Sequence, residues 1–578
     1  MKLQRLVFWA YFLSCLLGVV CGRAENTTAK PDEAATNWLI DELPKPDSDG
    51  WIHLFDGDRL CGSIPQSSDS QPGNVQMDGG LLRVDSAIVQ FNLDCNDLEF
   101  RARLKKTSGR YVKITIRNIA RPVWQGCATF FAGDDKFFTE KIDDKEALDL
   151  ISTNAPGPYD NFFDLDITAI GDNLTLKANG KVVYSIQGSS VGYGGIRIYS
   201  DRGTTLFKDI QVKILDKGPT PRDRLVDAVE ANFTHWDKNH NGDLDESEIN
   251  TVLQDPYVKG DAAAAAATLK GQFAEMNRDA APALTARFFQ SDDSRLEMLA
   301  SEFQMCLKRL QNASGLPIFS QDSPSLAECG QRRLEDCYLI APLGARLARN
   351  PAVIHEMITP DDQIGGYHVF FPDGTRVDTP RLTEGELAWL GAGPAKCLWQ
   401  RTLEKAWGLR KVCRKYGTPD PSIDPFDFIP VGGGSGENML LSLTGHNTAD
   451  YYLGKNGHTR TPVPKLRNAL QGAIQSGRLV EAFTWDVSNS RLPPDHAFAV
   501  LGYDSTTDLI KLWNPWGNNF VPHDVPGPMN GYRTVDGKFE MPLTEFIKIF
   551  AQVRAETDQP AKMKGPMVFP AEVAKGTQ

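Results

Sequence analysis

The sequence predicts a multidomain chain with three folded parts: a β-sandwich of the jelly-roll type, a helical region, and a domain of the α+β class. Short alternating strand patterns with regularly spaced turns fill residues 48–216. Helical periodicity fills residues 217–318, and helical signals followed by strand signals fill residues 319–556. A chain of 578 residues, of which 41% are hydrophobic and 24% charged, has ample material for several cores.

Residues 1–24 are typical of a signal peptide. Lys2 and Arg5 form a charged start, residues 6–20 are apolar, and small residues near 22–24 suit a cleavage site. We therefore expect an exported protein with a flexible leader over residues 25–47. A retained transmembrane anchor is the alternative, although the apolar run is short for a membrane span. No later stretch is long and apolar enough to cross a membrane, so no stable span is expected after signal removal.

Charge and cysteine content restrict the partners. The formal net charge of -12 argues against nucleic acid as a main partner. Removing Cys15 and Cys21 with the signal leaves eight scattered cysteines without a CxxC pair. A cysteine-based metal site is therefore not expected, and no disulfide is assigned.

The sandwich prediction rests on alternating strands and on one strong hairpin signal. Asn179-Gly180 separates two such strands at residues 173–178 and 181–186. The opening segment 50–60 resembles the start of the 3-keto-disaccharide hydrolase family, whose secreted domains are concanavalin- or laminin-G-like jelly rolls associated with carbohydrate. The resemblance implies a carbohydrate or cell-surface ligand. Because no convincing carboxylate pair for glycosidic chemistry is visible, a binding module is favoured over a carbohydrate-active domain, which stays open as an alternative.

A loop in the helical region matches the EF-hand pattern position by position. Gly242 supplies the sharp turn and Leu244 points to the core. The predicted ligands are the side chains of Asp237, Asn239, Asn241, Asp245 and Glu248 and the backbone carbonyl of Asp243. Such an all-oxygen set suits Ca2+. EF-hands usually pair, but no second loop is visible, so either the partner is degenerate or this hand packs on another helix.

Cys337 is the candidate nucleophile of the third part. An apolar run at helical spacing follows it, and Asp336 suits the N-cap of that helix. A cysteine at a helix N-terminus is favoured as a thiolate by the macrodipole. Downstream, His496 and Asn514 follow in the order in which a base and its orienting group follow the nucleophile in papain-like proteases. We predict that His496 forms an ion pair with the thiolate and that Asn514 fixes the tautomer of the histidine.

These motifs resemble the calpain family of cysteine proteases. The similar stretches are Gln331 with 336–341, the segment 399–407, the glycine-rich segment 432–435, and 514–517. The resemblance implies a papain-like fold acting on protein or peptide substrates. It also implies that the Gln331 side-chain amide and the Cys337 backbone N–H form the oxyanion hole, that Gly433 and Gly434 line the substrate site, and that Trp516 shields the histidine.

Three positions depart from the family pattern. Glu335 stands where the family has glycine, Pro342 falls inside the predicted nucleophile helix, and Asp495 replaces the glycine before the histidine. We predict a calcium-linked, calpain-like cysteine endopeptidase with an accessory β-sandwich and a flexible tail over residues 557–578. The alternative is a non-catalytic adhesion or scaffold protein built on a decayed protease fold.

Overall fold

The computed structural model separates the chain into two compact units. The first comprises residues 1–118 and 125–217, and the second comprises residues 119–124 and 218–578. The structure describes residues 39–40, 43–62, 74–91, 93, 95–119, 125–133, 136–143, 146–154, 161–171, 173–187, 194–216, 218–275, 284–291, 293, 295–320, 324–393, 397–429, 439–454, 459–485, 490–518, 525–562 and 567–569. The predicted signal peptide and most of the predicted leader lie outside these residues.

The first unit is a two-sheet sandwich, as the alternating pattern predicts. Its strands are β1 (Leu39–Ile40), β2 (Ile52–Phe55), β3 (Leu60–Cys61), β4 (Asn74–Asp78), β5 (Leu81–Asp85), β6 (Ile88–Phe91), β7 (Asp97–Lys106), β8 (Tyr111–Ile119), β9 (Gln125–Gly133), β10 (Lys136–Asp143), β11 (Glu146–Asn154), β12 (Phe163–Ile170), β13 (Asn173–Ala178), β14 (Lys181–Gln187), β15 (Gly195–Asp201) and β16 (Thr204–Asp216).

The two sheets of the sandwich bury one common core. One sheet has the order β1-β3-β2-β16-β7-β12-β13-β14 with β5 and β4 attached to β16, and the other has the order β11-β10-β9-β8-β15-β6. Side chains from both sheets, such as Phe100 and Ile198, are fully buried in this core. The β13–β14 hairpin turns at Asn179 and Gly180, whose φ angles of 49° and 74° are those that an Asn-Gly turn supplies.

The leader prediction is wrong at one place. Leu39 and Ile40 form β1, which pairs in parallel with Leu60 and Cys61 of β3. Pairing with a strand twenty residues later satisfies the backbone groups of this short segment, a contact that local sequence patterns do not reveal.

The second unit begins with a helical region. It contains α1 (Pro221–Trp236), α2 (Glu246–Leu253), α3 (Gly260–Glu275), α4 (Ala286–Phe289) and α5 (Arg295–Ala313). Thr220 caps α1 and Asp245 caps α2, each with a reciprocal capping box. The alanine run predicted to be helical lies in α3, where residues 263–267 are fully buried.

The remainder of the second unit is a mixed α+β domain, as predicted. Its helices are α6 (Cys337–Arg349), α7 (Ala352–Met357), α8 (Glu384–Leu390), α9 (Trp399–Tyr416), α10 (Met439–Thr444), α11 (Val463–Gln475) and α12 (Leu543–Ile549), with short 3-10 helices at Leu326–Glu328 and Pro425–Phe428. Its strands are β17 (Ile358–Asp361), β18 (Gly366–Phe370), β19 (Thr375–Pro380), β20 (His446–Tyr452), β21 (Val480–Thr484), β22 (Ala497–Asp504), β23 (Leu509–Trp513), β24 (Lys538–Pro542), β25 (Phe550–Pro560) and β26 (Met567–Phe569).

Two cores lie in this unit, and the nucleophile helix belongs to the first. The first core contains buried residues of α1–α3 and α5 together with those of α6, α8 and α9. The helical region and the helical half of the α+β domain therefore share one hydrophobic core. The second core lies between the sheet β20-β25-β21-β22-β23-β24 and helices α11 and α12. Helix α6 packs against β22, which brings its N-terminus to the start of that strand.

The tail prediction also needs correction. Strand β25 continues to Pro560 because it pairs with β20, and β26 pairs in parallel with β19, matching Thr375 to Met567. Residues 570–578 lie outside the described residues. None of the helices described here is both long and apolar enough to cross a membrane.

Candidate active site

Cys337 is the first residue of helix α6, as the sequence predicts. Asp336 occupies the N-cap position, but its side chain makes no capping hydrogen bond and is instead buried, with 1% of its surface exposed. The backbone carbonyl of Asp336 accepts the N–H groups of Leu339 and Ile340, which starts the helix. Cys337 is partly exposed, whereas six other cysteines are buried: Cys61, Cys95, Cys306, Cys329, Cys397 and Cys413.

His496 and Asn514 form one hydrogen-bonded pair. The Nε2 atom of His496 lies 2.9 Å from Oδ1 of Asn514, and the two side chains are 2% and 0% exposed. Because the Asn514 oxygen only accepts, Nε2 carries the ring proton and Nδ1 is the basic nitrogen. The backbone of His496 is held by Thr484, whose Oγ1 accepts its N–H at 3.2 Å and whose N–H donates to its carbonyl.

Asp495 has a left-handed backbone, with φ of 48°. Glycine adopts this conformation without steric cost, and aspartate is one of the few other residues that tolerate it. The departure from glycine at this position is therefore compatible with the turn that leads into His496.

Trp516 connects His496 to Gln331. Its ring lies 4.3 Å from the imidazole, centroid to centroid, and its Nε1 donates to Oε1 of Gln331 at 2.7 Å. Since an indole nitrogen can only donate, this bond fixes the orientation of the Gln331 amide. Nε2 of Gln331 donates to the Leu334 carbonyl at 2.6 Å, and the Gln331 backbone N–H donates to Pro515 at 3.0 Å. One hydrogen of the predicted oxyanion donor is thus engaged within its own loop.

The thiol of Cys337 lies near the strand that carries the base. The backbone N–H of Ala497, next to His496, lies close enough to this thiol to lower its pKa. Burial raises the pKa of Cys337 to about 11, and burial lowers the pKa of His496 to about 4. At pH 7 this arrangement is therefore a neutral thiol beside a neutral imidazole, and not the thiolate–imidazolium pair that the helix position predicts.

Hydrogen bonds from helix α9 hold the loop that carries Gln331. Gln400 accepts the Gly330 N–H at 3.1 Å and donates to the Gly330 carbonyl at 2.8 Å. The Gln400 amide also donates to Glu404, which accepts Arg401 at 2.5 Å. Sequence reasoning identified the 399–407 segment by resemblance but not this function, which pairs residues 70 positions apart.

The remaining predicted positions have different outcomes. Glu335 is exposed to solvent. Pro342 lies inside α6, which continues through it to Arg349. The predicted substrate-site residues Gly433 and Gly434 lie outside the described residues.

The predicted EF-hand loop joins α1 to α2. Both Asp237 and Glu248 are buried, and the Asp237 carboxylate accepts the N–H groups of Asn241 and Gly242 at 3.1 and 2.9 Å. Glu248 accepts the N–H groups of Lys238, Asn239 and Asp245. Gly242 is left-handed, with φ of 83°, as the turn requires.

Residues 284 and 285 pair with this loop. The Leu244 N–H donates to the Leu284 carbonyl at 3.2 Å, and Asp243 forms an antiparallel bridge with Thr285. These residues lie directly before α4, so the predicted calcium loop pairs with the segment that leads into that helix.

The loop offers oxygen donors to a cation. Side-chain oxygens come from Asp237, Asn239, Asn241, Asp245 and Glu248, and Oδ1 of Asp243 is buried with no donor among the described residues. Over the same part of the chain, no three His, Cys, Asp or Glu side chains are grouped as a metal site. An oxygen set that includes amide and backbone carbonyl groups fits a hard cation such as calcium.

Residues 287–523 match the family model described as calpain family cysteine protease. This match begins at α4 and includes α5, which shares the core of α6 and α9, and it covers Gln331, Cys337, His496 and Asn514. The second unit therefore contains a calpain-family cysteine protease domain. No curated protein matches the chain.

Several solved structures resemble the N-terminal part. The carbohydrate-binding module CBM66 from Bacillus subtilis is 11% identical, with a TM-score of 0.21 and coverage of 30% of this chain and 99% of that one. The exoplasmic/lumenal domain of VIP36 is 11% identical, with a TM-score of 0.24 and coverage of 30% and 91%. The β-glucanase of Bacillus licheniformis is 8% identical, with a TM-score of 0.23 and coverage of 29% and 93%. The sandwich is assigned from its own strand order, since likenesses of this strength carry no functional conclusion.

Proposed function

From a chain whose residues 287–523 match the calpain family of cysteine proteases, we propose that the protein is a cysteine endopeptidase that cleaves protein or peptide substrates. One observation carries the proposal. Residues from three distant parts of the sequence come together: Asn514 bonds His496, Trp516 joins His496 to Gln331, and the N–H beside His496 lies close enough to the Cys337 thiol to lower its pKa.

The geometry supports acyl transfer with His496 as general base. Nδ1 of His496 takes the thiol proton while the Cys337 sulfur attacks the scissile carbonyl carbon, and the tetrahedral oxyanion accepts the Cys337 backbone N–H. The second hydrogen of Gln331 Nε2 completes the oxyanion hole, where losing one donor costs about a hundredfold or more in rate. The imidazolium then protonates the departing amine, and water hydrolyses the thioester to regenerate the thiol.

The resting site requires proton transfer during attack. With the pKa of Cys337 at about 11 and that of His496 at about 4, a pre-formed ion pair is disfavoured in this conformation. Transfer becomes favourable during attack, because the negative charge moves from the sulfur to the oxyanion, which accepts hydrogen bonds from the Cys337 N–H and Gln331 Nε2. Asn514 assists by holding the protonated Nε2 of the imidazole, which stabilises the imidazolium as it forms.

Calcium is the proposed ligand of the loop from Asp237 to Glu248. Its oxygens would hold the cation, and the bound ion would supply charge that offsets the repulsion among the loop carboxylates. Because the ion binds only the folded loop, it stabilises the second unit by mass action, by about 2.7 kcal/mol when its concentration is a hundred times the dissociation constant.

A chain of contacts supports a calcium link to the protease site. Helix α2, which leaves the loop, donates from Asn250 to the Ser422 carbonyl at 3.1 Å and from Gln254 to the Ile423 carbonyl at 3.1 Å. Farther along the same segment, the Ile429 carbonyl accepts the hydroxyl of Tyr338 at 2.6 Å. Tyr338 directly follows the nucleophile, so residues 422–429 and Tyr338 connect α2 to Cys337.

The β-sandwich is proposed as an accessory module for a carbohydrate or another surface ligand. The sequence resemblance of its opening to secreted, carbohydrate-associated jelly rolls supports this, and the apolar start of the chain supports export. Deleting residues 48–216 should abolish binding to an insoluble polysaccharide panel while leaving peptide cleavage unchanged. Equal retention of the full and deleted chains on every polysaccharide contradicts the binding function.

Cleavage of a fluorescently labelled, denatured protein tests the enzymatic proposal. We expect turnover by the wild type, none by Cys337→Ala, and at least a tenfold loss in Asn514→Ala. A well-folded wild type that cleaves nothing across a broad peptide library points to the non-catalytic scaffold instead.

The calcium link has a separate test. Glu248→Ala should remove the calcium-dependent rise in melting temperature and shift the calcium dependence of cleavage. Glu356→Ala, which changes an exposed carboxylate on α7, serves as the control and should leave both curves in place. Identical calcium curves for wild type and Glu248→Ala contradict the link.

A further inference from the structure

A buried carboxyl group without a hydrogen-bond donor belongs to the residue immediately before the nucleophile. Asp336 is 1% exposed, and neither of its carboxylate oxygens meets a hydrogen-bond donor among the described residues. An ionised carboxylate deprived of both water and donors is strongly disfavoured. The side chain is also not used as a helix cap, although it stands at the N-cap position.

The neighbour of Asp336 is a second buried carboxyl group. Glu404 on α9 is 0% exposed and accepts the Gln400 amide at 2.7 Å and the Arg401 guanidinium at 2.5 Å. The charge of Glu404 acts on Asp336, and a proton on one of the two removes the repulsion between two buried carboxylates. Glu404 already has two donors for its charge, so the proton belongs to Asp336.

The electrostatics agree with this assignment. Burial, followed by the charge of Glu404, raises the pKa of Asp336 well above its usual range, although Arg401 opposes the shift. Burial likewise raises the pKa of the nearby Cys329 thiol, and the neighbouring carboxyl groups of Glu404 and Asp336 add to that effect. The Arg401 guanidinium bonds Glu404, so a negative charge on that residue has a cationic partner.

The protonation state of Asp336 matters because Cys337 is the next residue. The carboxyl groups that act on the thiol are those of Asp336 and of the buried Glu481 on β21. After burial, negative charge on Asp336 or Glu481 raises the pKa of Cys337 further, and the Ala497 N–H lowers it. A charged Asp336 would therefore oppose loss of the thiol proton.

We propose that Asp336 is a positioning residue that Glu404 keeps as a neutral carboxylic acid, and that this neutrality allows Cys337 to lose its proton during attack. The inference rests on the proposed function of Cys337 as the nucleophile. It predicts that the negative charge on Glu404 favours thiolate formation indirectly, because it keeps the proton on Asp336. Removing that charge would leave Arg401 free to pair with an ionised Asp336.

The rate of alkylation of Cys337 by iodoacetamide, measured by mass spectrometry from pH 6 to pH 10, tests the proposal without requiring peptide turnover. Glu404→Gln should slow alkylation at neutral pH at least tenfold, because Asp336 then ionises. Asp336→Asn should match the wild type within threefold near pH 7 and exceed it at alkaline pH, where the wild-type Asp336 loses its proton. The double variant should recover the rate of Asp336→Asn.

A matched control uses the adjacent exposed carboxylate. Glu335→Gln changes a charge one residue from Asp336 but in solvent, so it should alter alkylation by less than threefold. If Asp336→Asn accelerates alkylation tenfold at pH 7, Asp336 is ionised in the wild type and the proposal is wrong. Should Glu404→Gln fail to fold, judged by circular dichroism, the comparison of Asp336→Asn with the wild type decides alone.

The two proposals fail differently. Absence of peptide cleavage together with the expected alkylation pattern rejects the endopeptidase function and leaves the neutral Asp336 intact. Normal cleavage together with equal alkylation profiles for all variants rejects the role of Asp336 and leaves the nucleophile intact.

Discussion

Replacing Gly344 by alanine should disturb the site through the packing of helix α6 on strand β23. A Cβ atom at Gly344 would lie 2.3 Å from Cζ3 and 2.5 Å from Cε3 of the Trp513 ring. Carbon atoms in contact are normally about 3.5–4.0 Å apart, so helix and ring must separate by more than about 1 Å. Trp513 is 3% exposed and closely packed, which leaves it little room to yield.

The cost can be estimated for both stability and activity. Overpacking of a buried site costs about 1–3 kcal/mol, and the better helix propensity of alanine offsets about 1 kcal/mol of it. Since the contact is very close, we expect a net loss of about 2 kcal/mol in the free energy of unfolding. Trp513 immediately precedes Asn514, and a displacement of about 1 Å at a catalytic group can cost about a hundredfold in kcat/KM.

Urea unfolding and peptide cleavage measure these two effects. Gly472→Ala is the matched control, because a Cβ at that position of α11 would meet nothing within 4 Å and should leave stability equal or slightly raised. Trp513→Leu removes the opposing ring atoms, so the double variant Gly344→Ala/Trp513→Leu should lose less stability than the two single losses together. Wild-type stability and full activity in Gly344→Ala would refute the packing argument.

Three further predictions concern buried or strained groups. Lys270 is 1% exposed, and its Nζ lies 3.4 Å from the carboxylate of the fully buried Asp424. Lys270→Met should lower the free energy of unfolding by about 3–5 kcal/mol, measured by urea unfolding, because Asp424 is left unpaired. The folded pKa of His496 of about 4 lies below its unfolded value of 6.5, so the folded state binds fewer protons between these values. The neutral histidine therefore contributes about 3 kcal/mol to the free energy of unfolding above pH 6.5, and this contribution is lost as the pH falls to 4. Thermal unfolding of His496→Gln should not show this pH-dependent loss. Asp495→Gly should keep activity and gain up to about 1 kcal/mol, because glycine adopts the left-handed backbone freely.

Each of these has a contrary result. The buried ion pair is contradicted if Lys270→Met lowers the free energy of unfolding by less than about 1 kcal/mol and adding Asp424→Asn restores none of that loss. Parallel pH–stability curves for wild type and His496→Gln contradict the lowered pKa. A marked loss of stability in Asp495→Gly means that the aspartate side chain contributes more than the backbone conformation.

Local patterns predicted the elements that local chemistry determines. The Asn179-Gly180 turn, the start of α6 at Cys337 and the turn at Gly242 each depend on residues within a few positions of one another. The family resemblance of residues 319–556 was confirmed by the match over residues 287–523. The match begins before residue 319 and so includes α5. The buried residues of α5 share one hydrophobic core with α6 and α9.

Contacts between distant residues could not be predicted in the same way. The pairing of β1 with β3 and of β26 with β19 depends on strands that meet only after folding. Asp336 suited an N-cap from sequence, but its buried side chain makes no capping bond. The expected ion pair is not favoured either, because burial of Cys337 and His496 outweighs the effect of the helix N-terminus.

Covalent labelling of Cys337 tests the central claim most directly. The purified chain is incubated with an epoxysuccinyl inhibitor, and the modified residue is located by peptide mass spectrometry. We predict one adduct per chain, at Cys337, with no adduct on the six buried cysteines and none in Cys337→Ala. A tenfold slower reaction is expected in His496→Gln. A folded wild type that remains unlabelled, or that is labelled equally well without His496, contradicts the account of Cys337 as an activated nucleophile.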